Sequence, residues 1–524
     1  MMSEMTYEPL MVEPAGVPRG RAMIERADWA ARAYAKYDVA TVNRIVDAAA
    51  SALAARAQEF ARDAVAETGF GVVEHKVLKN VACSTGIVDA YRGQDFVSPE
   101  IDDVNKIVAI PRPAGVVLAL TPSTNPVATV SFKIILALMT RNAIIISPHP
   151  MAKKVCSAAA KAMAEAAVAA GAPDGIIQIV EDPSIPLINA LMTDERTDVI
   201  VATGGSPVVR SAYRSGNPAI GVGPGNVPVL VDSTADIQKT AARIIESKAF
   251  DNSILCTNES VVIAEEAIAD KLLSAFAREG AYVLKDEERD AIRNTVFPEG
   301  HFNIKMVGKD AVWIAEQAGL KVPAKTRVLV APFDLVVPEE PFAHEKLCPV
   351  LGFVRVPTAE RGIDIARAIL RITGAGHSAA IHSANPDLIM KFSAAVPVLR
   401  VSVNVGNSLG ASGIQTNLPT TMTIGTGFAG RSSVGENLQP KHLINYTRLA
   451  YNSDVREVMP AFAGLNPWVA PAGPVPAYPT ASNDRNNAQV PAPIHREPIS
   501  QDVAELRDEI RKLIVEELHA LIKN

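Results

Sequence analysis

The sequence predicts an α/β fold built from doubly wound parallel sheets. From Gly115 onward, short strands that are apolar throughout alternate with helical segments long enough to cross over a sheet. Such strands are buried on both faces, and the helices that connect them cover a parallel sheet. At 524 residues the chain also exceeds what one hydrophobic core usually supports. We therefore expect two α/β domains.

The predicted elements follow one another in a regular order. The first hundred residues are mainly helical, because alanines and aliphatic residues recur at helical spacing. The next elements are the strand GVVLALTP, a helix over 126–140, the strand NAIIISPHP, a helix over 152–170, the strand GIIQIVE, a short helix over 186–192 and a strand over 198–203. A second α/β region is expected from Val229 to about Thr423.

Polar residues of the first region cluster where its strands end, at 121–125, 147–150 and 203–206. Ligands of doubly wound sheets bind at the carboxyl ends of the strands. The dinucleotide fingerprint GxGxxG follows none of these strands. Its nearest candidate, residues 221–225, leads into the strand VPVLVD rather than into a helix. We therefore expect no standard Rossmann pyrophosphate loop.

Composition and charge exclude several classes of protein. The net charge is −6 and lysine and arginine are scattered singly, so there is no basic stripe of the kind that nucleic-acid-binding proteins carry. The acidic start, MMSEMTYEPLMVEP, does not resemble a signal peptide, and the most apolar stretch, 127–139, contains Lys133. We expect a cytoplasmic protein without nucleic-acid or membrane partners.

The four cysteines, Cys83, Cys156, Cys256 and Cys348, lie far apart, with no CxxC pair and no histidine at ligand spacing. This argues against a disulfide framework and against a structural zinc site, so no metal is expected. Cys256 follows an Asp-Asn-Ser turn signal and precedes an apolar run at 261–264. It is either a small hydrophobic residue at a strand edge or a nucleophile, and its residue type alone favours the first.

The end of the chain changes character. Nine prolines between Pro460 and Pro498, among alanine, asparagine and serine, predict an extended linker. Residues 499–524 begin with a helix-capping signal at Ser500 and carry apolar residues at three- and four-residue steps, which predicts an amphipathic helix. A single tethered helix cannot bury its own apolar stripe, so it needs a partner surface on this chain, on a second copy or on another protein.

Several ordered segments resemble the aldehyde dehydrogenase superfamily. They are the segment around Cys256, NPAIGVGPGNVPVLVDSTADI at 217–237 and EPFAHEKLCPV at 340–350. Other segments resemble its CoA-acylating members, which include the aldehyde half of bifunctional alcohol/aldehyde dehydrogenases and acylating enzymes of bacterial microcompartments. These segments are 121–126, 141–150, 202–205, 374–377 and 440–445. The resemblance covers roughly residues 48–450.

One departure from the family pattern separates its subclasses. The family's glutamate base lies 34 positions before the cysteine nucleophile, and the residue 34 positions before Cys256 is Val222. Water needs such a base to attack a thioester, whereas a thiol with a reference pKa of about 8.5 forms its thiolate with far less help. The resemblance therefore implies acyl transfer to CoA rather than hydrolysis.

The resemblance also implies roles for individual residues. Cys256 attacks the aldehyde, the hemithioacetal gives a hydride to NAD, and CoA releases the acyl group. The Cys256 main-chain N–H and a side-chain amide would hold the oxyanion. Ungapped alignment places Thr124 at the family's amide position, but Asn125 is the better donor and is preferred. His377, in a Gly-His segment shared with the acylating subgroup, could take the CoA proton, polarise the oxyanion or serve packing.

The predicted cofactor contacts fall on both halves of the chain. Glu345 matches the glutamate that hydrogen-bonds the nicotinamide ribose. Ser147 replaces the lysine that usually contacts the adenosine ribose, with His149 two residues on, so the choice between NAD and NADP stays open. The other predicted contacts are Thr121, Pro122, Gly204, Gly205 and Ser206. The last three begin a helix, where free N–H groups favour a phosphate.

Together, these features predict an NAD-dependent, CoA-acylating dehydrogenase of a short-chain aldehyde. The alternatives are a CoA-independent, hydrolytic aldehyde dehydrogenase and a non-catalytic scaffold. The predicted domains are 1–228 for cofactor binding, 229–423 for catalysis, 424–459 as a return to the cofactor domain, 460–498 as linker and 499–524 as terminal helix.

The resemblance also implies an assembly. Strands at 103–111 and 443–451 are the candidates for the extension through which the family forms homo-oligomers, either dimers or tetramers. The terminal helix resembles the encapsulation peptides that dock microcompartment enzymes to shell proteins. We therefore expect the protein in the cytoplasm, inside a bacterial microcompartment.

Overall fold

The computed structural model describes residues 13–468 and residue 478 of the chain. The terminal helix predicted at 499–524, and most of the linker predicted before it, lie outside the described residues. None of the helices that are described combines the length and the apolar character that a membrane crossing requires.

The described residues form sixteen α-helices, of which the three predicted at 126–140, 152–170 and 186–192 begin and end within one residue of the prediction. In chain order they are α1 (Val17–Tyr34), α2 (Val39–Ala55), α3 (Ala57–Thr68), α4 (Val73–Ala82), α5 (Thr85–Ala90), α6 (Pro126–Met139), α7 (Lys153–Ala169), α8 (Ile185–Thr193), α9 (Ser206–Arg214), α10 (Ile237–Ala249), α11 (Glu266–Arg278), α12 (Asp286–Val296), α13 (Ala311–Gln317), α14 (Ala359–Ile372), α15 (Pro386–Ala395) and α16 (Asn407–Gly410).

The strands of the same residues form three sheets. In chain order they are β1 (Glu100–Asp102), β2 (Ile107–Pro113), β3 (Val116–Thr121), β4 (Ala143–Pro148), β5 (Ile177–Ile179), β6 (Val199–Thr203), β7 (Ala219–Val222), β8 (Val227–Val231), β9 (Glu259–Glu265), β10 (Ala281–Val283), β11 (Val328–Pro332), β12 (Val350–Val356), β13 (Ala379–His382), β14 (Val401–Val403) and β15 (Ile444–Ala450).

The first parallel sheet has five strands in the order β5-β4-β3-β6-β7. Its strand order reverses between β3 and β6, the point where such sheets bind ligands. Helix α6 is buried along its whole length, which explains its apolar sequence. Its one charged residue, Lys133, donates from Nζ to the carbonyl oxygens of Leu120 on β3 and Val201 on β6, at 2.7 and 2.8 Å. Burial lowers the pKa of this lysine well below its usual value.

The second parallel sheet has seven strands in the order β10-β11-β12-β9-β8-β13-β14. The change from one sheet to the other falls between Val222 and Val227. The domain boundary predicted at residue 228 stays a prediction, as do the other domain boundaries.

The third sheet is antiparallel and joins two segments that are far apart in the chain. Strand β2 pairs with β1 on one side and, over seven residue pairs, with β15 on the other. These strands correspond to the predicted extension, but the first begins at Ile107 rather than at residue 103. Residues 103–106 form a turn, in which Asp102 Oδ1 accepts from the Asn105 N–H at 2.9 Å. The role of this sheet in oligomer formation stays a prediction.

Candidate active site

The predicted nucleotide contacts lie at the carboxyl edge of one parallel sheet, and Cys256, His377 and Glu345 lie at the amino edge of the other. Thr121 ends β3, Ser147 lies near the end of β4, and Gly204 follows β6, so all three lie at the carboxyl edge of the five-stranded sheet. Cys256, Glu345 and His377 instead lie in loops that precede strands. These strands are β9, β12 and β13 of the seven-stranded sheet. The second group therefore shares the amino edge of its sheet.

The loop that carries Cys256 begins with three consecutive left-handed residues. Asp251, Asn252 and Ser253 have φ of 48°, 53° and 61°. Such a conformation costs non-glycine residues about 1–2 kcal/mol each, somewhat less for asparagine and aspartate, so tertiary contacts must hold it. Asn252 Nδ2 donates to the Gly308 carbonyl at 2.9 Å, and Ser253 Oγ donates to the Lys248 carbonyl. The backbone before the cysteine is thus fixed from several sides.

Asp251 is held by two buried lysines. Its Oδ2 accepts hydrogen bonds from Lys76 Nζ, at 3.2 Å, and from Lys79 Nζ, both on helix α4. Its Oδ1 accepts from the Val72 N–H at 2.6 Å, and its own N–H donates to His75 Nδ1 at 2.8 Å. The charges of the two lysines lower the pKa of Asp251 despite its burial. Helix α4 therefore anchors the loop.

The structure brings Cys256 and His377 together across 121 residues of chain. His377 Nε2 lies 3.2 Å from Cys256 Sγ, and its Nδ1 lies 3.0 Å from Ser378 Oγ. Ser378 Oγ accepts from Asn407 Nδ2 at 3.0 Å, and the same amide nitrogen donates to the Thr257 carbonyl at 2.8 Å. The imidazole is therefore fixed in orientation on the side away from the sulfur.

His377 is neutral near neutral pH. Its complete burial, together with the positive charge of Arg400, lowers its pKa to about 3. Arg400 also donates from Nη1 to the His377 carbonyl oxygen at 2.9 Å. An uncharged imidazole can accept or donate a hydrogen bond at Nε2, depending on its tautomer.

Cys256 differs from the other three cysteines in its access to solvent. Cys83, Cys156 and Cys348 are buried, whereas Cys256 is partly exposed. Desolvation raises the pKa of its thiol to about 12, the charge of Glu345 adds to this effect, and Arg400 opposes it. The sulfur is therefore a protonated thiol beside a neutral imidazole, and it needs a proton acceptor when it reacts.

Glu345 lies beside the loop that leads into β8. Its Oε1 accepts a hydrogen bond from the Gly225 N–H at 3.2 Å. Glycine is required at 225, because a Cβ there would collide with the Cys256 carbonyl oxygen and would touch Glu345 Oε1. Burial raises the pKa of Glu345 to about 8, so its carboxyl group is mostly protonated at neutral pH.

The family position of the glutamate base carries no carboxylate here. Val222 is the last residue of β7 and is buried. Among the described residues, His377 is the only side chain that hydrogen-bonds Cys256 Sγ. The site therefore offers an imidazole, and no hydrogen-bonded carboxylate, to the reactive sulfur.

The oxyanion residue stays a prediction. Asn125 is buried immediately before α6, and its Oδ1 accepts from Lys79 Nζ. Among the described residues, no hydrogen bond joins it to Cys256, and the neighbouring Thr124 is half-buried. The structure thus connects Asn125 to the Cys256 loop through Lys79 and Asp251 rather than directly.

The predicted cofactor residues keep polar groups available at the carboxyl edge. Thr121 is buried and its Oγ1 has no hydrogen-bond partner among the described residues. Gly205 and Ser206 are exposed at the start of α9, where no side chain caps the helix. His149 is exposed and its Nδ1 accepts from the Met151 N–H at 3.2 Å. Exposed helix N–H groups and polar strand ends suit a nucleotide phosphate and ribose.

A scan against protein-family models matches residues 12–416 to the aldehyde dehydrogenase family. The chain belongs to the aldehyde dehydrogenase family. The resemblance inferred from its motifs is thereby confirmed.

Curated relatives of this aldehyde dehydrogenase include the aldehyde-alcohol dehydrogenase of Clostridium acetobutylicum, with 42% identity over 410 residues, 77% of this chain and 47% of that protein. The chain thus spans about half the length of that relative. Another is the acetylating succinate-semialdehyde dehydrogenase of Clostridium kluyveri, with 39% identity over 433 residues, 82% of this chain and 95% of that protein.

Solved structures agree with the predicted α/β fold, which is confirmed. An acetylating aldehyde dehydrogenase from Geobacillus thermoglucosidasius matches with a TM-score of 0.82 and 37% identity, over 83% of this chain and 97% of that one. A propionaldehyde dehydrogenase from the Clostridium phytofermentans fucose utilisation bacterial microcompartment matches with a TM-score of 0.75, 30% identity and coverage of 82% and 97%. A Rhodopseudomonas palustris propionaldehyde dehydrogenase with bound CoA and an acylated cysteine matches with a TM-score of 0.74, 29% identity and coverage of 82% and 97%.

Proposed function

We propose that this aldehyde dehydrogenase is CoA-acylating: it oxidises a short-chain aldehyde with NAD and transfers the acyl group to CoA. One observation carries the proposal. The partner of Cys256 Sγ is the neutral imidazole of His377, at 3.2 Å, while Val222 occupies the position of the hydrolytic base. The acetylating and CoA-bound relatives support the same reaction.

In the first half-reaction, Cys256 sulfur attacks the aldehyde carbon while its proton passes to His377 Nε2. Nδ1–H then donates to Ser378 Oγ, 3.0 Å away, so this tautomer is consistent with the observed contacts. A C–S bond forms and the carbonyl oxygen gains negative charge, which main-chain and amide N–H groups are suited to stabilise. Expulsion of hydride from the same carbon then leaves an acyl thioester on Cys256.

NAD supplies the hydride acceptor when it is bound. Thr121, Pro122, Ser147, His149, Gly204, Gly205 and Ser206 would hold its nucleotide part, and Glu345 its nicotinamide ribose. The orphaned Thr121 hydroxyl and the uncapped start of α9 fit such a ligand.

In the second half-reaction, the CoA sulfur attacks the thioester carbon and the Cys256 sulfur leaves. His377 first releases to solvent the proton that it took from Cys256; it then accepts the CoA proton at Nε2 and returns it to Cys256, so that one proton is released per turnover. Water, with a pKa about 7 units above that of a thiol, gives up its proton to the same imidazole far less readily than CoA does. The acyl enzyme is therefore expected to react with CoA much faster than with water.

Product analysis tests this proposal. Purified protein is incubated with propionaldehyde, NAD and CoA, and acyl-CoA and free acid are measured by mass spectrometry. We expect acyl-CoA in amounts equal to NADH, and none from the Cys256→Ala variant. Free acid formed at the same rate without CoA would favour the hydrolytic alternative. No NADH at all would favour the scaffold.

We also propose a homo-oligomer located in a bacterial microcompartment. Strand β15 has one neighbour in the described sheet, so its other edge is open to a second copy. A microcompartment relative and the predicted terminal helix support docking to shell proteins. Light scattering measures the oligomer. Co-purification of shell proteins with the full chain, and not with a chain ending at Pro460, tests the docking.

A further inference from the structure

Helix α4 connects two segments that the sequence keeps far apart. One is the turn before α6, which contains Thr124 and Asn125, and the other is the loop that carries Cys256. Lys76 and Lys79 lie one turn apart on α4 and both are buried. Both donate to Asp251 Oδ2 in the cysteine loop.

The two lysines differ in their second partner. Lys76 Nζ lies 3.4 Å from the main-chain oxygen of Thr124. Lys79 Nζ donates to the side-chain Oδ1 of Asn125. Only Lys79 therefore contacts a side chain that could take part in the reaction.

The contact with Lys79 determines which way the Asn125 amide faces. An ammonium group only donates hydrogen bonds, so the atom that faces it must be the amide oxygen. Nδ2 consequently points away from Lys79. Its contact in the structure is with Thr124 Oγ1 at 3.4 Å, at the long end of the hydrogen-bond range. The amide thus keeps donor capacity free, which an oxyanion donor requires.

We propose that Lys79 is a positioning residue that fixes Asn125 Nδ2 as the oxyanion donor relative to Cys256. The inference rests on the proposed function. Lys79 binds Asn125 and Asp251 at the same time, so it sets the distance between the amide and the cysteine loop. Its charge also polarises the amide, which makes Nδ2 a stronger donor. Lys76 shares the loop contact but reaches only a main-chain oxygen of the turn, so it serves as the matched comparison.

A buried ion cluster that is only structural makes a different prediction. Loss of either lysine would then disturb the loop alone, and its effect would multiply with that of any change at Asn125. If Lys79 acts through Asn125, the part of its effect that exceeds the loss of the shared loop contact must vanish when the amide is absent.

A double-mutant cycle separates these cases. The variants are Asn125→Ala, Lys79→Met and their combination, with Lys76→Met alone and combined with Asn125→Ala as the control. The measurement is kcat and KM for propionaldehyde by NADH formation with CoA, and circular dichroism verifies folding. We expect Asn125→Ala to lower kcat about 10²–10³-fold and Lys79→Met to lower it at least about 10-fold, while in the Asn125→Ala background Lys79→Met lowers kcat no more than Lys76→Met does. Lys76→Met should lower kcat by the same factor in both backgrounds.

Multiplying effects of Lys79→Met and Asn125→Ala in an active wild type overturn this inference alone. Absence of NADH formation in the wild type overturns the proposed function and this inference together. If Lys79→Met does not fold, Lys79→Gln replaces it in the same cycle. The glutamine amide can still donate to Asn125, so we expect Lys79→Gln to lower kcat less than Lys79→Met would. In the Asn125→Ala background this loss should fall to that of Lys76→Met. A larger loss in that background contradicts the inference.

Discussion

The two parallel sheets present their functional residues at opposite edges. At the carboxyl edge of the five-stranded sheet, the residues suited to a nucleotide lie at strand ends and at the exposed, uncapped start of α9. At the amino edge of the seven-stranded sheet, reactive side chains are held by buried charges. Arg400 donates to the His377 carbonyl, and Lys76 and Lys79 hold Asp251.

This difference indicates a division of labour. A phosphate bound by main-chain N–H groups at the start of a helix depends little on side-chain identity. A reacting sulfur and its base require fixed geometry, because small displacements reduce rates strongly. Substitutions at the amino edge should therefore reduce turnover, and those of the predicted nucleotide contacts at the carboxyl edge should mainly weaken cofactor binding. Asn125, the predicted oxyanion donor that follows β3, is the exception and should affect turnover.

The largest expected effect concerns the cysteines at the amino edge. Cys256 and Cys348 both lie in loops that precede neighbouring strands, but only Cys256 is partly exposed. We expect Cys256→Ala to lower aldehyde-dependent NADH formation at least about 10⁴-fold, since the nucleophile is lost. Cys348→Ala should retain activity within about threefold. Equal losses in both variants would show that Cys256 has no special role.

The next-largest effect is expected at His377, and His382, at the other end of strand β13, provides the comparison. His377 precedes β13, and His382 ends the same strand and is also fully buried. We expect His377→Ala to lower kcat about 10²–10³-fold through loss of the proton acceptor. His382→Ala should leave kcat per folded enzyme within about threefold, although it can lower the melting temperature. A similar loss of kcat from both substitutions would contradict the assignment of the reaction to the amino edge.

A smaller effect is expected at the carboxyl edge. Ser147→Ala and His149→Ala remove groups that would contact the adenosine part of the cofactor, so they should raise KM for NAD by about three- to tenfold and leave kcat unchanged. Such a pattern indicates binding that is equally strong in the ground state and the transition state. A fall in kcat at saturating NAD would break the proposed division between the two edges. The same titration with NADP measures the cofactor preference.

The smallest expected effect of a substitution is a several-fold change in thiol reactivity at high pH, measured without cofactor, when Glu345 is replaced. Alkylation of Cys256 by iodoacetamide should rise about tenfold per pH unit between pH 7 and 9, because its pKa is about 12. Glu345 is neutral below its pKa of about 8 and negative above it, so it opposes thiolate formation only at higher pH. We therefore expect Glu345→Gln to be alkylated several-fold faster than wild type at pH 9 and equally fast at pH 6.5. A constant ratio across this range would show that the charge of Glu345 does not reach the sulfur.

The sequence predicted the parallel sheets well, because their strands are continuous apolar runs between helices. It also predicted Cys256, Glu345 and His377, through motifs shared with a family. The motifs did not show that these three residues share the amino edge of the seven-stranded sheet, because the general rule for α/β sheets places ligand-binding residues at the carboxyl edge. That correction required the order and direction of the strands.

The contacts that hold the Cys256 loop and its histidine left only weak signals in the sequence. Lys76 and Lys79 lie in the helical segment EHKVLKN, whose charged residues look like those of a solvated helix face. In the structure they are buried against Asp251. This partner is more than 170 residues away in the chain, so the local sequence does not reveal the contact. The contact between Cys256 and His377 is equally non-local. A charged pair one helical turn apart, and an aspartate five residues before the cysteine, were the only available hints.

The central claim is that the acyl enzyme waits for a thiol because Val222 stands at the position of the hydrolytic base and, among the described residues, no carboxylate hydrogen-bonds the Cys256 sulfur. Stopped-flow NADH formation with propionaldehyde and NAD, first without CoA and then after CoA is added, tests it most directly. We predict a burst of one NADH per Cys256 site, almost no further turnover, and steady turnover as soon as CoA is present. Steady NADH formation at the same rate without CoA would contradict the account.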